Sequence, residues 1–137
     1  MDRPEALYRL AMAPVGRMAT VDERGHPHVV PFVFAVDGTT IYWIVDRKPK
    51  RSLELRRLAN LRTNPATEVV VDHYAEDWSE LWWVRASGTG RIVEDQEESA
   101  WARSLLASKF PQHRLQPPPG PVVAMDVDRI TWWSASG

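Results

Sequence analysis

The sequence predicts a mainly β fold, an antiparallel barrel of six strands with helices at its periphery. Most of the predicted strands are joined by short turns, which is typical of hairpins. The three predicted helices lie at the N-terminus, after the third strand and near the C-terminus, so strands and helices do not alternate as they do in a parallel sheet. The chain has 137 residues and shows no repeat or internal boundary. We therefore expect one domain over residues 1–137.

The N-terminal part of the chain predicts a helix followed by a first strand. Asp2 is suited to cap the helix, and Pro4 lies in the first turn, where proline is favoured. Apolar residues recur at helical spacing over residues 7–11, and Pro14 ends this pattern. Residues 17–21 then predict the first strand, which a charged turn separates from the second.

Residues 28–36 and 39–45 predict the two arms of a hairpin. The Asp37-Gly38 pair between them is the strongest short hairpin signal in the chain. The first arm contains Pro31, which has no backbone N–H to donate to a neighbouring strand. Pro31 therefore predicts an edge strand, a bulge or a break that a ligand lines.

The middle of the chain predicts a loop, a helix and a buried strand. Pro49 prevents helix formation in the loop of residues 47–51, and Ser52 is suited to cap a helix that ends near Asn64-Pro65. Residues 67–74 contain a nearly continuous apolar run. Such a run predicts a strand that is buried on both faces.

The C-terminal part predicts a long strand over residues 81–93. Its Gly88 and Gly90 indicate a bulge or the close approach of another backbone. The remaining predicted elements are a helix over residues 95–110, a proline-rich connector over residues 111–121 and a strand over residues 122–133.

The composition excludes several kinds of site. The chain contains no cysteine, which excludes disulfides, thiolate nucleophiles and cysteine-ligated zinc or iron–sulfur centres. No apolar run reaches the roughly 18 residues of a membrane span, and the N-terminus lacks the pattern of a signal peptide. We therefore expect a cytoplasmic protein with no membrane partner. Its net charge of -1 argues against a nucleic-acid partner, because nucleic-acid-binding domains are normally strongly basic.

The positive charge is concentrated in one segment. Residues 47–62 contain seven basic residues and one acid, Glu54, for a net charge of +6, whereas the rest of the chain has a net charge of -7. A basic helix face in contact with water is one explanation of this segment, and a binding site for an anion is the other. The seven basic residues are Arg47, Lys48, Lys50, Arg51, Arg56, Arg57 and Arg62.

The sequence contains no motif of a catalytic site that is made of side chains alone. It has no G-x-S-x-G elbow, no P-loop and no G-x-G-x-x-G, so a cofactor is expected to supply the reactivity of any enzyme activity. His26 and His28 lack further ligands at metal-binding spacing, and we expect no metal. Arg56 and Arg57 are suited to bind a phosphate. The tryptophans offer flat surfaces for a ring system, although core packing explains each of them equally well.

Several motifs together resemble the split β-barrel flavin-reductase and pyridoxamine 5′-phosphate oxidase-like superfamily. They are GRMATV at 16–21, GHPHVVP at 25–31, IYW at 41–43 and RRLANLRTNP at 56–65, followed by the strand at 67–71 and a closing strand that ends in Trp. KPKR at 48–51 and the DHY, DW and LWWVR stretches within 72–85 are similar to the branch of coenzyme F-420-dependent oxidoreductases. The resemblance covers essentially the whole chain and implies an FMN-binding-like split β-barrel with a Greek-key order of strands.

The resemblance also implies a cofactor site and a quaternary structure. Arg56 and Arg57 match the basic pair that holds the cofactor phosphate. Family members are homodimers with two cofactor sites at the subunit interface, so a homodimer is expected here. The residues that match the strands bordering or underlying the cofactor are His28, Val30, Pro31, Phe32, Trp43, Ile44 and Val45.

The loop before the basic pair is longer and more basic than in the pyridoxamine phosphate oxidases. Coenzyme F-420 is a deazaflavin whose tail carries a phosphate and several glutamates, and it bears more negative charge than FMN. We therefore expect Lys48, Lys50 and Arg51 to contact that tail. The expected function is that of an oxidoreductase that uses F-420 to transfer a hydride to or from an electrophilic small molecule.

No catalytic side chain is identified with certainty by the sequence. His28, His73 and Tyr74 are candidates to exchange a proton with the substrate, because an imidazole or a phenol near the ring could protonate the acceptor. The alternatives are an FMN-dependent oxidoreductase on the same fold, a carrier that binds the cofactor without turnover, and a nucleic-acid-binding module.

Overall fold

The computed structural model describes residues 1–45 and 53–137, of which residues 53–57 are described by their backbone alone. The helices are α1 (Arg3–Met12), α2 (Leu53–Thr63), α3 (Gln96–Lys109) and α4 (Pro111–Leu115), with a single 3-10 turn at Trp78–Glu80. The strands are β1 (Gly16–Val21), β2 (Pro27–Phe32), β3 (Ala35–Asp37), β4 (Thr40–Ile44), β5 (Ala66–His73), β6 (Trp82–Ile92) and β7 (Val122–Ser134). The predicted mainly β, antiparallel fold with peripheral helices is confirmed.

The order of strands in the sheet explains why it curls into a split barrel. The order is β2-β1-β5-β6-β7-β4-β3, and every described pairing is antiparallel. In a flat sheet the two edge strands would lie about 29 Å apart, at about 4.8 Å per strand. Yet β2 and β3 are separated only by Val33 and Phe34, and the three Cα–Cα steps from Phe32 to Ala35 span at most about 11 Å. The sheet therefore curls until its two edges come close together.

The predicted strand over residues 28–36 was wrong, because it is two strands at opposite edges of the sheet. β2 pairs with β1, whereas β3 pairs with β4. Between them the side chain of Phe34 is fully buried and stacks on the ring of Phe32, with 4.9 Å between the ring centroids. The chain thus crosses from one edge to the other by inserting Phe34 into the core, and the part of the sheet that the structure describes has seven strands rather than six.

Pro31 lies on an edge strand, which is one of the three positions that the sequence predicted for it. In the described sheet β2 pairs with β1 and stands at the end of the order. Pro27 and Pro31 are four residues apart, so their backbone groups point in the same direction along the sheet. Because proline has no N–H to give to a ladder, this direction is away from β1.

Two glycines have the roles that the sequence predicts for them. Gly38 adopts φ +61° in the tight turn that joins β3 to β4, where Asp37 pairs with Thr40. The register of β6 against β7 shifts between Ser87 and Gly88, and a Cβ atom at Gly88 would lie 2.1 Å from the carbonyl oxygen of Asp126. The bulge and the close backbone approach at Gly88 are both confirmed.

The predicted cap of α1 at Asp2 is confirmed, and the structure shows a further cap at the start of α3. The side chain of Asp2 accepts a hydrogen bond from the N–H of Glu5 at 3.0 Å, and Asp95 accepts one from the N–H of Glu98 at 2.9 Å. The predicted cap at Ser52 lies outside the described residues. Among the described residues, no helix is long and apolar enough to cross a membrane.

Two sequence predictions about local structure were wrong. β5 is not buried on both faces, since Val69 and Val71 are fully buried but Val70 between them is only half-buried. Val69 and Val71 face the core, whereas Val70 lies on the opposite face of the strand, on the outside of the barrel. The connector over residues 111–121 contains α4, which begins at Pro111 because proline is favoured in the first turn of a helix.

The core has two parts, one inside the barrel and one beneath α3. The interior is filled by residues from α1 and from strands throughout the sheet: Leu10, Met18, Phe34, Ile41, Trp43, Val69, Val84 and Met125. On the other face of β4, Tyr42 packs with Ala102 of α3 and with Val122 and Ala124 of β7. β4 is therefore covered on both faces.

Candidate functional site

The interior face of the barrel is open along β2. Thr20 and Met18 of β1 are buried, at 1% and 0% exposure. Their partners across the ladder are His28 and Val30, which lie on the same face of the sheet. Both are only partly buried. His28 and Val30 are therefore the part of this interior face that solvent reaches, at the edge where the barrel is split, and we call this region the opening.

Helix α2 lies at the same end of the barrel. Asn60 of α2 is buried, and its Nδ2 donates a hydrogen bond to Thr20 Oγ1 at 3.4 Å. Thr20 pairs with His28, so Asn60 and His28 both neighbour Thr20. Arg56 precedes Asn60 by four residues in the same helix, a rise of about 6 Å. The backbone that carries the basic pair thus runs beside the opening.

The turn between β1 and β2 holds a carboxylate against two imidazoles. Oδ1 of Asp22 accepts hydrogen bonds from the N–H groups of Arg24 and His26, both at 2.9 Å. Its Oδ2 lies 3.5 Å from His26 Nδ1 and 3.5 Å from His28 Nε2. Hydrogen bonding from the backbone of His26 lowers the pKa of Asp22 below its ordinary value. Asp22 is therefore ionised at neutral pH.

A polar cavity of about 450 Å³ separates this turn from α2. Its lining residues are Asp22, Glu23, Arg24 and His26 from the turn, with Ala59, Asn60 and Thr63 from the helix. Charged and hydrogen-bonding groups dominate this lining, which suits a polar or ionic part of a ligand rather than an apolar one.

A family model described as pyridoxamine 5′-phosphate oxidase matches residues 3–134. The chain belongs to this family. The predicted superfamily is thereby confirmed. A comparison with curated protein sequences found no match.

Solved structures share the fold at low sequence identity. An FAD-binding protein from Mesorhizobium loti superposes with a TM-score of 0.75 at 18% identity, covering 96% of this chain and 94% of that one. The FAD binding protein from Mycobacterium smegmatis gives a TM-score of 0.66 at 19% identity, covering 97% and 94%. A heme binding protein from Mycobacterium smegmatis gives a TM-score of 0.76 at 20% identity, and the match covers 100% of this chain but 56% of that one. These likenesses show a split barrel of the pyridoxamine 5′-phosphate oxidase type.

The structure brings only part of the predicted cofactor-binding set to the opening. His28 and Val30 share the open interior face. Pro31 is exposed on the opposite face of β2, beside Arg17 of β1. Phe32 lies at the buried end of the strand. In this family member, side-chain contacts to a ligand at the opening are therefore available to His28 and Val30 but not to Pro31.

The predicted residues of β4 contribute to the core. Trp43 is buried, and its ring meets that of Phe32 edge-on, with 5.5 Å between the centroids. Val45 is buried as well, and Ile44 packs against the cluster beneath α3. These residues set the position of β4.

The structure does not describe the side chains of the basic residues that were predicted to bind the cofactor. Lys48, Lys50 and Arg51 lie outside the described residues. Arg56 and Arg57 lie in the first half of α2, and the structure describes their backbone alone. The positions of these two residues in a helix beside the opening are established, and their contacts stay a prediction.

The three candidates for proton exchange do not lie together. β5 runs antiparallel to β1, with Ala19 paired to Glu68. Because His28 pairs with Thr20 of β1, it lies across the sheet from the start of β5. His73, at the end of β5, is about 20 Å farther along the sheet. Its ring stacks on Trp82, with 6.3 Å between the centroids, and Tyr74 beside it is exposed. Only His28 lies at the opening.

Two residues at the opening were missed by the sequence analysis. Asp22 was read as part of a charged turn, and Asn60 as part of a family motif without a role of its own. The spacing Asp22-x-x-x-His26-x-His28 is a signal that a carboxylate and two imidazoles share one hairpin. Among the described residues, no group of three or more His, Asp or Glu side chains is placed to hold a metal.

Proposed function

We propose that this protein is an oxidoreductase that binds the deazaflavin coenzyme F-420 and uses it to transfer a hydride to or from an electrophilic small molecule. The observation that carries the proposal is the concentration of positive charge in one segment. Residues 47–62 bear a net charge of +6 in a chain that is otherwise acidic, and they include most of α2, whose Asn60 donates a hydrogen bond to Thr20 at the opening. A cofactor with a phosphate and several carboxylates is the ligand that this charge distribution suits.

The groups at the opening fit such a cofactor in their chemistry. Arg56 and Arg57 would hold the phosphate, and Lys48, Lys50 and Arg51 would attract the acidic tail. His28 and Val30 would border the ring, the one by its imidazole and the other by an apolar contact. When bound, the deazaflavin supplies the hydride chemistry. The protein positions the ring and keeps water from it.

FMN is the second candidate cofactor on this fold. Two of the structures that share the fold are named as FAD-binding proteins, which supports a flavin in this kind of barrel. FMN carries a phosphate but no glutamate tail, so it needs the arginine pair and leaves the lysines of the loop without a role. The number of basic residues therefore favours F-420.

We also propose a homodimer with its cofactor sites at the subunit interface, in the cytoplasm. The outer face of β2 supports an interface, because Val29 is largely exposed there and the exposed Pro31 lies on the same face. Half-buried Val70 of β5 continues this apolar surface beyond Arg17. Sedimentation velocity would test this proposal, and a monomer at micromolar concentration would contradict it.

The proposed cofactor is tested by parallel titrations with F-420 and with FMN, followed by tryptophan fluorescence. Tighter binding of F-420, with turnover of a small enone or quinone, supports the proposal. Tighter binding of FMN favours the second candidate, and binding of F-420 without turnover indicates a carrier.

The role of the loop is tested by the double variant Lys50→Ala, Arg51→Ala. We expect this variant to lower the affinity for F-420 at low salt by about tenfold or more, because each charge-assisted contact contributes about 1.5 kcal/mol or more. Its affinity for FMN should change little. The substitution Arg129→Ala, at an exposed residue of β7, is a control for the loss of positive charge alone. Unchanged F-420 affinity in the double variant would show that the loop does not contact the tail.

A further inference from the structure

The hairpin of β1 and β2 places an exposed and a half-buried imidazole against one carboxylate oxygen. Oδ2 of Asp22 lies 3.5 Å from a nitrogen of each ring. The side chain of His26 is 69% exposed, whereas that of His28 is 28% exposed. His28 is thus the imidazole on the interior face of the barrel, beside Thr20 and Asn60, and Asp22 is its carboxylate partner.

Asp22 is held rigidly for this contact. Its Oδ1 is occupied by two backbone N–H groups of its own turn, which leaves Oδ2 to face the imidazoles. A carboxylate accepts hydrogen bonds and does not donate them when ionised. It therefore favours the form of His28 that carries a proton on Nε2, as carboxylate partners of histidine do in catalytic sites. The Nδ1 atom of His28 is then free to accept or donate a proton elsewhere.

We propose that His28 exchanges with the bound substrate the proton that accompanies hydride transfer, and that Asp22 is the residue that positions its imidazole. The inference rests on the proposed function, because it needs a reduced deazaflavin or flavin at the opening. Among the described residues, the charged group in contact with His28 is Asp22, and the adjacent hairpin residues Glu23, Arg24 and His26 line the neighbouring cavity. The residues of α2 that line the cavity, Ala59, Asn60 and Thr63, are neutral.

The proposed step balances as follows for an acceptor with a C=C or C=O bond. One atom of the double bond receives a hydride, with both electrons, from the reduced cofactor. The other atom receives a proton from Nδ1 of the His28 imidazolium, so that an N–H bond breaks and a C–H or O–H bond forms. The acceptor gains two electrons and the cofactor loses two, and neutral His28 regains its proton from water. In the reverse direction neutral His28 accepts the proton.

The substitution Asp22→Asn separates the positioning role from the structure of the turn. An asparagine keeps an amide oxygen that accepts from the N–H groups of Arg24 and His26. It replaces Oδ2 by an amide group that cannot accept from His28. Asp77 provides a matched control, because its Oδ1 accepts from the N–H of Ser79 at 3.0 Å in an exposed turn between β5 and β6. The substitution Asp77→Asn makes the same chemical change away from the opening.

The first measurement uses the cofactor-free protein. Nitrogen-15 NMR of the histidine side chains distinguishes the two neutral forms of an imidazole. In the wild type we expect His28 to be protonated mainly on Nε2. Asp22→Asn should abolish this preference and Asp77→Asn should keep it. An unchanged preference in Asp22→Asn would overturn the positioning role of Asp22, whatever the protein does with a cofactor.

The second measurement follows the oxidation of reduced F-420, or of reduced FMN, by menadione, a quinone. We expect His28→Gln to lower kcat by about 100-fold, the lower end of the usual range of general acid–base catalysis, and Asp22→Asn, which acts through His28, to lower it by about tenfold. In Asp22→Asn the KM and the cofactor Kd should stay within about twofold, and Asp77→Asn should match the wild type. A full kcat in His28→Gln, or cofactor binding without turnover in the wild type, would overturn the inference alone. A wild type that binds neither cofactor would refute the proposed function instead.

Discussion

An ion-pair cluster between α3 and the sheet allows a quantitative prediction of stability. Arg91 of β6 donates to both carboxylate oxygens of Glu98, at 2.8 and 2.7 Å, and to Asp126 of β7 at 2.7 Å. The hydroxyl of Tyr42 on β4 donates to Glu98 Oε2 at 2.7 Å. Glu98 thus joins α3 to β6 and β4, and Arg91 links the same cluster to β7. The substitution Glu98→Gln removes its charge while keeping its size.

The expected loss in the free energy of unfolding of Glu98→Gln follows from the lowered pKa of Glu98. The hydrogen bonds from Arg91 and Tyr42 lower the pKa of Glu98 from 4.5 to about 2. At about 1.36 kcal/mol per pKa unit this shift corresponds to an upper bound of about 3 kcal/mol. The side chains of Glu98 and Arg91 remain 23% and 41% exposed, and water screens a pair of this kind. We therefore expect a loss of about 2 kcal/mol at pH 7.

The pH dependence of this loss is the stronger test. The pKa of Glu98 is lowered in the folded state, so its stabilisation is complete above pH 4.5 and is lost as the pH falls toward 2. The difference between wild type and Glu98→Gln should therefore shrink to about 1 kcal/mol at pH 3. Urea unfolding followed by tryptophan fluorescence at the two pH values measures it. The control is Glu97→Gln, which removes an exposed charge from the same helical turn. Equal losses in the two variants, or a loss independent of pH, would refute the reasoning.

Three further predictions concern other described contacts. The Nζ of Lys109 donates to the carbonyl oxygens of Ala11, Ala13 and Phe34 at 2.8–2.9 Å. Lys109→Met should therefore lower the free energy of unfolding by about 2–3 kcal/mol. A loss below about 0.5 kcal/mol in urea unfolding would show that these hydrogen bonds contribute little. Burial, followed by the hydrogen bond to Glu98, raises the pKa of Tyr42 to about 12. Its stabilising effect therefore holds below pH 10 and is lost as the pH rises toward 12. Absorbance at 295 nm should show an ionisation step near pH 12 in the wild type, and Tyr42→Phe should lack this step. Gly88→Ala should destabilise the fold by more than about 2 kcal/mol because its Cβ would meet a backbone oxygen, and equal urea midpoints for Gly88→Ala and Ser87→Ala would contradict this expectation.

Features that depend on neighbouring residues were predictable from the sequence. The cap at Asp2, the Asp37-Gly38 turn and the bulge at Gly88 each follow from the local conformational preferences of one or two residues. The edge position of Pro31 follows from its missing N–H. The concentration of positive charge in residues 47–62 is visible without any structure.

Features that depend on distant parts of the chain were not predictable in this way. Residues 28–36 look like one strand, and only the curl of the sheet sends β2 and β3 to opposite edges. Val70 looks buried because its neighbours are apolar, but its exposure depends on which strands cover the outer face. The ion pair of Arg91 with Asp126 joins residues that are 35 positions apart in the chain.

The sequence by itself determined the class of fold, the family and the concentration of positive charge in residues 47–62. The tertiary structure decided which of the candidate residues share a site. It placed His28 with Asp22 and Asn60 at the opening, Trp43 in the core, and His73 and Tyr74 at the far end of the sheet. The physical reason is that alternation along a strand indicates which residues share a face, whereas the pairing of strands sets how far apart those residues lie.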